Sequence, residues 1–174
     1  FVSNAIDKIK VSNYNFDEIY ERGRGCEHDR VRIFYELLKP IFWEYKLYCE
    51  KKSYLDFNDL MIKAVDLLKK NPQVKTYYQE LFKYVLVDEF QDVNYTQVEL
   101  LNNLLNKNSQ LFCVGDDWQS IYGFRGSEVE YIVNFKTYFP KSSVFKLGVN
   151  YRSNDVIVNA SNEVIKNNKF KLDK

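Results

Sequence analysis

Histidine and methionine each occur once in this 174-residue chain, proline and cysteine three times, and glycine six times. The cysteines (Cys26, Cys49, Cys113) are odd in number and irregular in spacing, which argues for free thiols in a reducing compartment. Disulfide-rich and zinc-finger readings are set aside on that ground. No apolar run approaches the ~18 residues of a membrane span, and no charged-then-apolar leader precedes Phe1. Internal repeats and low-complexity segments are absent. None of the glycines is followed by lysine, so the phosphate loop G-x-x-x-x-G-K-[ST] is missing. The only methionine is Met61 and the chain opens on Phe1 in mid-pattern, so a segment of something longer is expected.

Aromatic residues are plentiful, at 17%, within a composition that is 45% hydrophobic and 28% charged. That is too rich for disorder and ordinary for a soluble globular protein of one domain, or of one domain plus a fragment of a second. The net charge of +1 hides a gradient: residues 121–174 carry 9 basic and 5 acidic side chains. The excess does not by itself establish a nucleic-acid partner. After Arg32 the chain uses 17 lysines but only two arginines, Arg125 and Arg152. Two isolated arginines suggest sites that need a planar, permanently charged fork.

The periodicity predicts a helical, polar-aromatic segment over residues 1–53. Gly23 and Gly25 mark a loop there. Val31, Phe34, Leu37, Leu38, Ile41, Tyr45 and Tyr48 recur at helical spacing, with Pro40 as a kink or break. A helix after Asp56 turns Leu60, Met61, Ala64, Val65 and Leu68 to one side and ends at Asn71-Pro72. The pattern then changes. Residues 84–87 (YVLV) and 111–114 (LFCV) read as strands buried on both faces, each followed by acids, with a helix over 96–107 between them. Ser127-x-x-Glu130 reads as a capping box opening a further helix, Ser143–Val149 as a third strand and Asp155–Lys166 as a last helix. Strands alternating with helices predict an α/β fold: right-handed βαβ units in a parallel sheet, with ligands at the carboxyl ends of the strands, where the acids fall.

Two strings carry the chemistry. In Val87-Asp88-Glu89-Phe90-Gln91-Asp92, neighbouring acids at a strand end point in different directions. They can divide two tasks of nucleoside triphosphate hydrolysis, holding hydrated Mg²⁺ and activating water. One βα unit later, residues 115–127 read GDDWQSIYGFRGS, with aromatics beside a lone arginine; bases stack on rings and a guanidinium takes phosphate, which suits single-stranded nucleic acid.

Together these strings resemble the UvrD/Rep/PcrA family of superfamily 1 DNA helicases. VDEFQD is similar to motif II and GDDWQSIYGFRGS to motif III. Residues 147–153 (LGVNYRS) are similar to motif IV, and residues 54–60 (YLDFNDL) to the family's DF-x-DL element. The resemblance covers about residues 54–165. Trp118 departs from the acid most members carry there, and GDDW is closest to the DNA helicase IV branch; Phe124 stands where many relatives have tryptophan. The resemblance implies ATP and Mg²⁺ as cofactors. Asp88 would hold the metal through water, Glu89 would activate the attacking water and Gln119 would sense the γ-phosphate. Tyr151 would stack on adenine, Arg152 would act as the arginine finger, and Tyr122, Phe124 and Arg125 would contact single-stranded DNA. It further implies residues 1–53 as a helical insert, 54–142 as the distal half of a first RecA-like lobe, and 143–174 as the start of a second. The expected protein is cytoplasmic, nucleoid-associated when working, and moves 3′ to 5′ on single-stranded DNA or at a single/double-strand junction. Two rivals remain: the motor of a RecB/AddA-type helicase–nuclease, and a non-catalytic DNA-binding or docking module that keeps the fold.

Overall fold

The computed structural model describes residues 2–12, 15–168 and 171–172. Its N-terminal part is helical, as the periodicity predicts: α1 (Val2–Val11), α2 (Phe16–Arg24) and α3 (Asp29–Lys52). Ile6, Ile9, Phe16 and Leu38 are buried together, with the Phe16 and Phe42 rings stacked at 4.2 Å between centroids. Two expectations are corrected here. Of the kink or break expected at Pro40, the break does not occur, since α3 runs through it. The helix loses one hydrogen bond at the proline, while Phe34, Leu38, Phe42 and Trp43 pack on the same cluster from both sides of it. Gly23 lies inside α2 and is buried, because a Cβ there would stand 2.0 Å from the Tyr35 ring; it lets α2 approach α3 closely, and only Gly25 leads into the loop. The predicted apolar stripe of α3 also divides. Leu38 is buried, whereas Leu37 and Ile41 are 63% and 45% exposed.

The DF-x-DL element opens α4 (Phe57–Lys70). Asp56 is its N-cap, accepting from the Asp59 N–H at 2.8 Å, and Asp59 answers from N3 to the Asp56 N–H. The same Asp56 carboxylate accepts from Lys10 Nζ at 2.6 Å and from the Tyr45 hydroxyl at 2.5 Å. One residue thus starts α4 and ties it to α1 and α3. Burial alone would push the Asp56 carboxyl up and Lys10 down. Hydrogen bonds from Lys10 and Tyr45 outweigh it at Asp56, and those to Asp56 and Asp59 outweigh it at Lys10, leaving Asp56 below and Lys10 above their ordinary values. Val65 and Leu68 are buried, Leu60 is exposed, and α4 ends at Asn71. Pro72 then occupies the first turn of α5 (Pro72–Leu81), a helix the sequence reading does not include.

Strands β1 (Tyr84–Val87) and β2 (Gln110–Cys113) pair in parallel, Val85 opposite Leu111 and Val87 opposite Cys113. The crossover runs through α6 (Tyr95–Leu104), whose Val98 and Leu101 are buried. The parallel pairing is as expected, but the strands are covered on one face only. Val85, Val87, Leu111 and Cys113 pack on a core of Phe90, Val93, Val98, Leu101 and Tyr131, while Tyr84, Leu86 and Phe112 are 69%, 73% and 61% exposed. The capping box at Ser127 does not form. Short helices α7 (Glu130–Val133) and α8 (Phe135–Tyr138) follow, and the N-cap of α7 is Val129, which makes no side-chain cap hydrogen bond. Nor is Ser143–Val149 a strand. Phe145 and Leu147 are 86% and 94% exposed, and a strand exists only where a neighbour completes its ladder. Helix α9 (Asp155–Ile165) forms as predicted, capped by Asn154, with Val156, Ile157 and Val164 exposed. Among the described residues, no helix is long and apolar enough to cross a membrane.

Candidate functional site

The parallel register places the ends of β1 and β2 side by side, and the ladder continues past both strands. The Val114 N–H donates to the Val87 carbonyl at 2.9 Å and the Phe90 N–H to the Val114 carbonyl at 2.9 Å. Phe90 is 1% exposed and packs edge-on against Phe135 at 5.3 Å, so it anchors the turn in the core. Asp88 and Glu89, directly before it, face solvent. The Asp88 carboxylate accepts the Glu89 N–H at 2.9 Å. Glu89 itself is left-handed, with φ 51° and ψ 42°. A non-glycine residue held there costs about 1–3 kcal/mol, and such strain clusters at functional sites.

Gln91 is the residue the sequence reading leaves without a role. It is 1% exposed. Its amide donates to Glu89 Oε2 at 2.6 Å, and its amide oxygen accepts the Asp116 N–H at 2.9 Å. Its backbone carbonyl accepts the Ser120 hydroxyl at 3.2 Å. The close approach depends on Gly115, where a Cβ would lie 2.8 Å from Gln91 Oε1. A glutamine two residues beyond the paired acids is the available signal, but its burial is invisible in the sequence. Asp92 next to it has one carboxylate oxygen buried without a partner; burial, then the Glu89 charge, raise its carboxyl above the ordinary value.

The second string forms two single 3₁₀ turns, Asp117–Gln119 and Gly123–Arg125. Asp116 caps the first, accepting the Trp118 N–H at 3.2 Å on one oxygen and the Gln119 side-chain amide at 2.9 Å on the other. Hydrogen bonds therefore run from Glu89 through Gln91 and Asp116 to Gln119. Asp117 is buried and accepts the Leu172 N–H at 2.7 Å, and the Trp118 indole N–H donates to the Leu172 carbonyl at 3.4 Å. The residue that departs from the family's acid thus helps seat the chain near its C-terminal end.

In the second turn the Arg125 guanidinium lies over both neighbouring rings, 5.2 Å from the centroid of Tyr122 and 5.5 Å from that of Phe124. Phe124 is 55% and Tyr122 39% exposed, so neither ring is core. Gly126 closes the turn at φ 91°, where a Cβ would also meet Val11 at 2.7 Å. Tyr151 and Arg152 stand apart. Asn150 accepts the N–H groups of Arg152 and Ser153, both at 2.9 Å, in a tight turn before α9. Tyr151 is 93% exposed. Among the described residues, neither Tyr151 nor Arg152 forms a hydrogen bond or ion pair with Asp88, Glu89 or Gln119.

The family profile for the UvrD/REP helicase N-terminal domain matches residues 2–140. The chain belongs to that family. It is 40% identical over 133 residues to the ATP-dependent DNA helicase PcrA of Staphylococcus aureus strain Mu50, and 39% identical over 133 residues to that of Staphylococcus epidermidis strain RP62A. In both cases the match covers 76% of this chain and 18% of the relative. The UvrD/PcrA-like superfamily 1 resemblance read from the motifs is thereby established, and the family match extends back through α1, α2 and α3.

Proposed function

We propose that this chain is an internal segment of an ATP-dependent DNA helicase or translocase that moves 3′ to 5′ on single-stranded DNA. The observation that carries the reading is the meeting of Asp88 and Glu89 with Asp116 and Gln119 at the carboxyl ends of two paired parallel strands. In open parallel sheets that is where ligands bind. Residues 1–53 are a helical insert, 54–142 the distal half of a RecA-like lobe and 143–174 the start of a second. The working protein is cytoplasmic and meets DNA at the nucleoid.

The donor set suits ATP with Mg²⁺, which is commonly held by one or two carboxylates plus phosphate oxygens. Asp88 offers solvent-facing carboxylate oxygens at the strand end, and Asp92 keeps a buried oxygen unpartnered nearby. Asp88 would hold the ion; once bound, it neutralises phosphate charge. Glu89 takes the proton of the attacking water. Gln119, fixed by Asp116, reads the γ-phosphate. Tyr151 stacks on adenine and Arg152 completes the site from the second lobe. Tyr122, Phe124 and Arg125 bind single-stranded DNA, two rings offering stacking and the guanidinium taking phosphate.

The test is ATP hydrolysis by the full-length parent with and without single-stranded DNA, together with unwinding of duplexes carrying either a 3′ or a 5′ tail. Turnover stimulated by DNA and unwinding from the 3′ tail alone are expected. DNA-independent turnover, or equal use of both tails, would contradict the reading.

A further inference from the structure

We propose that Gln91 is a positioning residue for Glu89, one that sets the carboxylate of the general base according to the placement of the Asp116–Gln119 turn. The inference rests on the reading of Glu89 given above. Three observations carry it. First, Gln91 is 1% exposed, so no bulk water competes for its amide. Secondly, its two ends meet opposite partners: the NH₂ group faces Glu89 Oε2 at 2.6 Å and the oxygen faces the Asp116 N–H at 2.9 Å. A flipped amide would set oxygen against carboxylate and NH₂ against N–H, so its orientation is fixed by its surroundings. Thirdly, the far side of the bridge is tightly gauged. Gly115 leaves no room for a Cβ beside Gln91 Oε1, and Asp116 also accepts the Gln119 side chain at 2.9 Å. A shift of Gln119 that displaces the Asp116 backbone therefore reaches Gln91 and, through it, Glu89. The base is seated by the same loop that is read as sensing the γ-phosphate.

Gln91→Glu and Gln91→Met in the full-length parent test this, with Glu89→Gln as the reference. In Gln91→Glu a second carboxylate replaces the donor to Glu89, and like charges so close push the Glu89 carboxylate out of its seat. Turnover of Gln91→Glu should fall at least about tenfold with KM for ATP little changed, because the donor that seats Glu89 is lost. Gln91→Met, of similar shape, should lower kcat at least about tenfold while adding nothing in the Glu89→Gln background, because Gln91 acts only through Glu89. A folded Gln91→Glu variant whose kcat stays within about threefold of the unmodified protein overturns the proposal. If Gln91→Glu does not fold, the double variant decides. A loss from Gln91→Met as large without Glu89 as with it would mark Gln91 as structural only. Should Glu89→Gln itself leave turnover intact, the reading of the base fails, which is a separate outcome.

Discussion

Glu89 occupies a left-handed conformation that glutamate rarely adopts, and its neighbours hold it there: Asp88 on its N–H, Gln91 on its carboxylate and Phe90 sunk in the core. Asp88 and Glu89 drew notice as paired acids at a strand end and the motif resemblance pointed to Gln119; hydrogen bonds through Gln91 and Asp116 connect Glu89 to Gln119. Gln91 was not legible, since its role comes from burial and from a neighbour 25 positions away. Exposure also settles a question about Phe124 that composition leaves open. A ring 55% exposed contributes little to the core, so Phe124→Ala should weaken single-strand binding by ~1–3 kcal/mol with the melting temperature almost unchanged. Fluorescence anisotropy and a melting curve on the same sample check both halves. Arg152→Ala in the parent should lower ATP turnover by about 10³–10⁵, the usual effect of an arginine finger, and Arg152→Lys should restore little. Full activity with lysine, in a steady-state assay, would mean that charge without the planar fork is sufficient.

At the scale of elements, the capped helices with periodic apolar faces and the two paired parallel strands were legible, whereas the fate of a strand without a partner and the covering of the sheet were not. The strand predicted over Ser143–Val149 lacks a neighbour to pair with, and β1 and β2, read as covered on both faces, are covered on one. Helix α5 was hidden because Asn71-Pro72 reads as a stop, although proline also suits the first turn of the next helix. The DF-x-DL element acquires a physical account: Asp56 caps α4 and fastens it to Lys10 and Tyr45. Asp56→Ala should therefore cost about 0.5–2 kcal/mol from the cap alone, lowering the melting temperature of the parent by a few degrees. The pH dependence follows from the sign of the shift. The Asp56 carboxyl is held below its ordinary value in the folded protein, so its contribution is complete above about pH 4 and is lost as the pH falls further. Asp56→Asn should flatten that acid limb in melting temperatures recorded across pH. Gly126→Ala, at φ 91° and against Val11, should be destabilising by more than about 1 kcal/mol without touching the acids at the strand ends.

The described residues form two packed clusters, one around Leu38 and one around Phe90, and the Thr96 hydroxyl donates to the Val11 carbonyl at 3.1 Å in a buried contact. The motif residues divide into a group at the ends of β1 and β2, an aromatic–arginine group one turn on, and Tyr151 with Arg152 before α9. The chain spans 18% of the length of the PcrA relatives it matches, and its sequence contains no phosphate-loop lysine after glycine. The isolated 174-residue chain should accordingly not turn over ATP, since Asp88 and Glu89 have no loop to present the phosphates to them. The most direct measurement of the central claim is the DNA-stimulated steady-state ATPase of the full-length parent carrying Glu89→Gln. With ATP and DNA binding retained, turnover should fall by about 10²–10⁴, the usual cost of losing a general base. Turnover within threefold of the unmodified protein, taking about threefold as far below that range, would remove Glu89 from the role and contradict the account.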